Sequence, residues 1–464
     1  MRMMRSLASV FCAVFGMAIC ALAQPVVSDV TLSQDPGSCM VTVEYRLSQT
    51  AIVTVDFLTN GVSIGGARFN NVAGDVHKVV EVGDGESGEM RRMWWRPESS
   101  WPNMLLPRNL PVTARVTAWA TNTPPNYMVI HIDKAVQHIS ASARTAYYET
   151  ADVLPFPGGV TNDLCKTDYM VFRKCPAANV KFRRGATANE CNITESRPAH
   201  YVTLTNNFYI GIYEMTQGQY EHFGVKHGNR GSRPSFFTAE YKMRPVEDIR
   251  MIELRGLASY DENDPVTNGN RKYWPECGHD IVQTNAPGVD VNALWRIREI
   301  TGQKFDLPTD AQWEFAARAG VGGVLPDGEG SADIENRTSR YSRCEATAPV
   351  NGVVAGTSPS VGGTAVVGSY EPNAWGIYDM TGNVDEMCLD NYARYGDESG
   401  FNEDLYVDPA GLLTSDSDDK GALRVVRGGS WKIAARYAII PRRYYFNPSN
   451  KSNIIGFRLC LTLP

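Results

Sequence analysis

The sequence predicts two unlike parts, an all-β sandwich followed by a larger α+β domain of short helices set in irregular chain. Three observations carry this. Apolar residues alternate with a period of two from Pro25 to about Ile132, the alternation stops near Asp133, and two Thr-x-x-Gln capping boxes occur only beyond that point.

The chain opens MRMMRSLASVFCAVFGMAICALAQ, with Arg2 and Arg5 ahead of an apolar run that ends at the small-residue site Ala21-Leu22-Ala23. This predicts a cleaved secretory signal over residues 1–23, with Gln24 starting the mature chain. A lipid-anchored alternative needs small residues just before an acylated cysteine, and Ala18-Ile19 before Cys20 fits poorly. No later run approaches the roughly 20 apolar residues of a membrane span. The expectation is therefore an exported protein, secreted or periplasmic. Without Arg2 and Arg5 there are 43 Lys plus Arg against 51 Asp plus Glu, a net charge of −8. Such a chain fits poorly with general nucleic-acid binding.

From 25 to 132 the runs MVTVEYRL, AIVTVDFL, HKVVEV, RRMWW, VTARVTAWA and YMVIHI are separated by turn residues, and Val41, Val43, Tyr45 and Leu47 share one face. This spacing predicts an immunoglobulin- or fibronectin-like sandwich. Two familiar patterns in it fail on context. GVSIG, Gly61 to Gly65, follows Thr59-Asn60 in an expected hairpin instead of turning into a helix, as a nucleophile elbow must. GDGESG, Gly83 to Gly88, joins strand to strand, and Asp84 and Glu86 would repel a phosphate.

Residues 133–163 lose the alternation and end in a Pro/Gly cluster, which predicts a linker. Residues 164–464 form the second domain. Thr216 to Gln219 and Thr309 to Gln312 each start a helix; DAQWEFAARAG places Trp313, Ala316 and Ala317 on one face and should stop at Gly320. VNALWRIREITG carries Leu294, Trp295 and Arg298 at helical spacing and should stop at Gly302. Eight cysteines follow the leader, at 39, 165, 175, 191, 277, 344, 388 and 460, with no CxxC pair and no Cys/His knuckle. Disulfides fit an exported chain, yet one this long can bury a core without them.

Six phrases in order, FYIGIYEMTQGQY, RPVEDI, LPTDAQWEFAARAG, PNAWGIYDMTGNVDEM, RVVRGGSW and IIGFRLC, resemble the formylglycine-generating enzyme (sulfatase-modifying factor) family over about Tyr169 to Leu463. The resemblance implies a compact α+β fold related to C-type lectins, with little regular secondary structure. It also implies a copper-dependent oxidase that converts a cysteine of a sulfatase to formylglycine. Its two copper-binding cysteines would fall three residues beyond Ser430 and five further on, where this chain has Ile433 and Ala438. Copper(I) needs thiolate or thioether ligands, and neither side chain offers an electron pair. Copper is therefore not expected, and neither is the oxidase chemistry.

The resemblance also implies structural calcium at a GNxWE turn. Here the turn is GNVDE, so Asn383, the carbonyl of Val384 and Glu386 are the candidate ligands, with Asp385 in place of the tryptophan. An ordinary Asn-containing turn with a solvated Glu is the competing reading. A second calcium position falls near Arg337 to Val350, which keeps few acidic residues, and the SDSDD run at 415–419 lacks a closing Glu. None of the seven histidines forms a two-ligand helix spacing.

From Ala422 to Pro464 there are eight Lys or Arg and no Asp or Glu, interleaved with aromatics, the composition of binding hot spots. Arg427 and Arg458, inside family motifs, read as buried partners of acidic residues. Ser430, Arg436, Arg442, Arg443, Tyr444, Tyr445 and Phe446 correspond to the family's substrate groove and are the candidate ligand surface. The leading expectation is an exported module that binds a polypeptide or glycan. The alternatives are an enzyme in the same groove, by the family's oxidation or another redox activity, and a structural envelope protein.

Overall fold

The alternation of VTVEYRL becomes the strand Val41–Leu47, with Val41, Val43, Tyr45 and Leu47 buried and the residues between them half-exposed. It belongs to a computed structural model that describes residues 24–83, 88–97, 101–238, 241–255, 292–330, 332–345, 363–392, 394–395, 407–409 and 423–464. The expected leader, the centre of GDGESG, the SDSDD run, Cys277 and residues 346–350 lie outside the described residues.

Two sheets make the N-terminal part. One orders Val27–Gln34, Val41–Leu47, Met90–Trp95 and Ala73–Gly74. The other orders Val62–Ser63, Ala51–Thr59 and Lys78–Val80, with Val112–Trp119 also on Ala51–Thr59. They share one apolar core, in which the rings of Phe57 and Trp95 lie 4.6 Å apart. Thr59 pairs with Val62 around Asn60 and Gly61, both at positive φ, so GVSIG does begin in a two-residue hairpin.

YMVIHI does not join these sheets. Tyr127–His131 lies inside a five-stranded antiparallel sheet ordered Thr145–Tyr148, Tyr127–His131, Tyr169–Cys175, Phe208–Gly211 and Cys460–Thr462. The span read as a linker, 133–163, thus supplies an edge strand and several 3-10 turns. The reason is two-sided burial. Met128 and Ile130 enter the core of the larger part, while Tyr127 and Val129 continue the N-terminal core. A strand covered on both faces has no polar side to mark where one domain ends.

The junction is also hydrogen-bonded. Tyr147 N–H donates to the carbonyl of His77 (2.9 Å), and His77 Nδ1 lies 2.9 Å from the Tyr147 carbonyl. The imidazole stacks on Tyr148, and burial pushes its pKa down to about 4. The ring is therefore neutral at pH 7, with its hydrogen on Nδ1 facing that carbonyl.

Five helices appear among the described residues: α1 (Gln217–Phe223), α2 (Met251–Arg255), α3 (Ala293–Thr301), α4 (Asp310–Arg318) and α5 (Ile334–Tyr341). Both capping boxes form as expected, at Thr216/Gln219 and Thr309/Gln312. Helix α4 ends one residue early, on Ala319 in the left-handed region. Helix α3 ends at Gly302, and its inner face is Leu294, Ile297 and Ile300 rather than Trp295 and Arg298. A second sheet orders Arg443–Phe446, Arg424–Arg427, Asp385–Asn391 and Ile455–Gly456, the last running parallel to its neighbour. All seven described cysteines are free thiols, and all but Cys39 are buried. Among the described residues no helix is long and apolar enough to cross a membrane.

A fragment beginning at Asp133 would lack an inner strand of the five-stranded sheet. It is expected to show no cooperative thermal transition, whereas a fragment beginning near Thr121 regains one. A sharp calorimetric transition for the shorter fragment would show that the Tyr127–His131 strand is dispensable.

Candidate functional site

Asp310 and Glu314 stand one helical turn apart on α4, and neither side chain reaches solvent. Burying two carboxylates is prohibitive unless cations accompany them. Arg184, Arg427 and Arg443 converge on Asp310, and Arg427 and Arg318 on Glu314, with Arg443 Nε at 2.6 Å and Arg318 Nη2 at 2.7 Å. Burial by itself would raise both acids. The guanidiniums outweigh it, holding Glu314 at about 2 and Asp310 far below the usual carboxylate range.

Arg427 opens the RGGSW segment and ties it down. Besides its two carboxylates it donates to the carbonyls of Ile440 (3.2 Å) and Arg442 (3.0 Å) and lies over the Trp313 ring. The two glycines that follow are both at φ +88. A Cβ at Gly428 would stand 3.2 Å from Trp313, and one at Gly429 would stand 2.3 Å from the Ile433 side chain. Only glycine allows this turn and this approach. The chain thus delivers Ser430, fully buried with its hydroxyl unpartnered among the described residues. Trp431 N–H then bonds to the Asn383 carbonyl (2.8 Å), and Glu345 N–H to the Ile433 carbonyl (2.8 Å).

Ile433 and Ala438, where the resemblance would put a pair of copper-binding cysteines, close a small apolar cluster with Ala435 and Cys344. Cys344 supplies a single thiol there. One sulfur among hydrocarbon side chains does not fit a two-coordinate copper(I) centre.

Asn383, Val384 and Glu386 do not form an open oxygen cage. Asn383 Oδ1 accepts from Ala365 N–H, and its amide donates to Glu214 (2.6 Å), which also accepts from Val384 N–H. Glu386 is clamped by Arg458 at 2.6 Å on both oxygens and accepts from Trp313 Nε1 (2.7 Å). Arg458 supplies the positive charge that a calcium ion would bring, so these residues do not fit calcium. Among the described residues no group of three or more His, Cys, Asp or Glu side chains is arranged to hold a metal.

The expected ligand surface divides. Arg442 is buried against Asp385, Arg443 belongs to the Asp310 cluster, Phe446 is in the core, and Ser430 is enclosed. These four are therefore not surface residues, because buried acids and apolar side chains claim them. Arg436 is exposed beside Tyr437, and Tyr444 is 46 % exposed, stacked on the half-buried Tyr445, which in turn meets Tyr392. The sequence reading missed a second aromatic group. Phe236, 64 % exposed, packs on Phe237, whose ring meets Trp431 next to Ser430. The adjacent Phe236-Phe237 pair is the only sequence signal for it, and nothing local connects it to Trp431.

Among the described residues Asp390 is one of several acids, with Glu214 and Asp379, that are buried without an ion pair. Asp390 accepts from Asp310 N–H (2.6 Å), while its other oxygen has no partner among the described residues. Burial, reinforced by the charge of Asp310, pushes it up to about 7.

Arg427→Ala would leave Asp310 and Glu314 partly uncompensated and should cost about 3–5 kcal/mol in chemical denaturation; a loss under 1 kcal/mol would contradict the central role given to Arg427. Asp390 has the opposite pH signature. Its folded-state pKa is raised, so its stabilising contribution is complete below the ordinary carboxylate range and is lost as pH rises through about 7. The melting temperature of Asp390→Asn should therefore fall less between pH 5 and pH 8 than that of the unaltered protein, and parallel curves would refute this.

Comparison with known proteins places this site in a family. Residues 173–463 match the sulfatase-modifying factor enzyme 1-like domain. The chain is 32% identical over 279 residues to a serine/threonine-protein kinase pkn1 of Chlamydia pneumoniae, covering 60% of this chain and 36% of that one. It is 32% identical over 193 residues to the formylglycine-generating enzyme of Streptomyces coelicolor, covering 39% and 52%. It is 30% identical over 203 residues to the chaperone protein LppX of Paenibacillus barcinonensis, covering 40% and 63%. The chain thus spans between about a third and two thirds of the length of these relatives. With its GGSW turn, capped α4 helix and C-terminal GFR segment inside the matched span, the chain belongs to the sulfatase-modifying factor enzyme 1-like family.

Proposed function

We propose that this protein is an exported binding module whose sulfatase-modifying-factor-type domain captures a polypeptide on the surface around the former oxidase groove. The observation that carries this reading is the apolar cluster of Ile433, Ala435, Ala438 and Cys344 where the resemblance puts a copper-thiolate pair. The frame of the groove persists without the ligand atoms for the chemistry. Beside it in the chain stand Trp431, which meets Phe237 and through it Phe236, and the exposed Arg436 and Tyr437; the Tyr444-Tyr445-Tyr392 stack lies on and beside the strand that follows. Aromatic and arginine side chains of this kind anchor protein ligands. A relative named as a chaperone suits a polypeptide rather than a small molecule.

In this reading the N-terminal sheets are an immunoglobulin- or fibronectin-like sandwich that carries the binding domain, and the larger part is a lectin-related scaffold. Export rests on the leader-like segment at 1–23. Glycan capture at the same surface, oxidation of a protein cysteine, and a purely structural envelope role are the competing readings.

The test uses the full mature chain against an array of extended peptides, some carrying a sulfatase-like cysteine, with and without copper(I). Peptide binding is expected, and Phe236→Ala with Tyr444→Ala and Tyr445→Ala should weaken it at least about tenfold while leaving the melting temperature in place. Aldehyde formation on the cysteine peptide would establish the enzyme instead. Absence of peptide binding would end the polypeptide reading.

A further inference from the structure

We infer that the outer face of the first N-terminal sheet is a saccharide platform built on Trp94, suited to a β-linked, uncharged hexopyranose chain. The inference is independent of the polypeptide surface, since it uses strands of the N-terminal sheets and none of the residues of that surface.

The strand Met90–Trp95 sends Met93 and Trp95 into the core and turns Arg92 and Trp94 outward. Trp95 next door is 1 % exposed, whereas Trp94 is 44 % exposed, a large apolar ring left in water. The register shows what surrounds it. Across the sheet, Trp94 stands opposite Thr42, and Thr42 opposite Ser33; on the other side it faces Ala73. In the next outward row, Arg92 stands opposite Glu44, and Glu44 opposite Thr31. A Cβ on Gly74 would come 3.2 Å from the Trp94 ring, so the neighbouring strand brings backbone and a methyl group beside the indole and nothing tall enough to cover it. Met40, Thr42, Glu44, Arg92 and Trp94 line a shallow open depression.

The chemistry of that row selects the ligand. Strands lie about 4.8 Å apart, so Ser33, Thr42 and the indole spread over roughly 10 Å, the reach of one or two sugar rings. An equatorially substituted pyranose presents a flat face of C–H groups that packs on an aromatic plane, and its rim of hydroxyls needs donors and acceptors alongside. Here those are the Ser33, Thr31 and Thr42 hydroxyls and the Arg92–Glu44 pair. The ion pair is closed at 2.8 Å with Arg92 still 63 % exposed, so the face offers hydrogen bonds without net charge. A nucleic acid or acidic polymer would need uncompensated cations. A protein hot spot would enclose the ring in a broader apolar patch. On this face Arg92 is paired with Glu44, and the apolar neighbours of Trp94 are Met40 and, further along the strand, the exposed Met90, set among hydroxyls.

The experiment is calorimetric titration of the full mature chain with cellohexaose and chitohexaose, both β-linked, and with maltohexaose, which is α-linked and curved. Binding of at least one β-linked chain is expected, weakened at least about tenfold by Trp94→Ala and several-fold by Glu44→Gln. If Trp94→Ala loses its cooperative melt, the paired change Arg92→Ala with Glu44→Ala serves in its place and should weaken binding comparably. The proposal is overturned by no heat from either β-linked chain at millimolar concentration. Equal or tighter binding of maltohexaose, or binding that these substitutions leave unchanged, would overturn it as well.

Discussion

Two carboxylates enclosed one turn apart on a buried helix impose the organisation of the larger domain. Asp310 and Glu314 have no route to water, so the chain must bring positive charge to them from elsewhere. It does so from distant segments, with Arg184 arriving on one short strand, Arg427 on another and Arg443 on a third. Each arginine fixes its strand relative to α4. The Arg458–Glu386 pair repeats the arrangement and joins the C-terminal end of the chain to the Asp385–Asn391 strand and Trp313. A domain with few helices and short strands cannot rely on long ladders for rigidity. A buried ionic frame with every guanidinium oriented supplies it instead.

The same frame accounts for how the RGGSW segment is held. Arg427 anchors the two glycines, and the glycines set Ser430 and the approach of Ile433. The bonds that hold this segment are made by Arg427 and by backbone groups, while the side chains at positions 433 and 438 pack into the apolar cluster with Ala435 and Cys344. Of the arginines that looked available for ligands in the sequence, Arg442 and Arg443 are committed to buried acids, and Arg436 remains exposed with the aromatic side chains.

The N-terminal sheets are not a separate bead. Their core passes through Tyr127 and Val129 into the central sheet, and the His77–Tyr147 contacts close the join. A short segment, 120–126, joins the last N-terminal strand, Val112–Trp119, to Tyr127–His131 in the five-stranded sheet.

Local chemistry determined a good deal of this. Period-two alternation located the N-terminal strands, Thr and Gln three apart located two helix starts, Asn-Gly located a hairpin, and the ordered phrases pointed to the family. Those features act within a few residues and so are written in adjacent letters. What the sequence could not decide were matters of long-range pairing. Burial on both faces moved Tyr127–His131 into the second domain. The partners of Arg442, Arg443 and Glu386 lie 57, 133 and 72 residues away. A buried charge is settled by whichever opposite charge the fold brings beside it, and only the tertiary structure makes that choice.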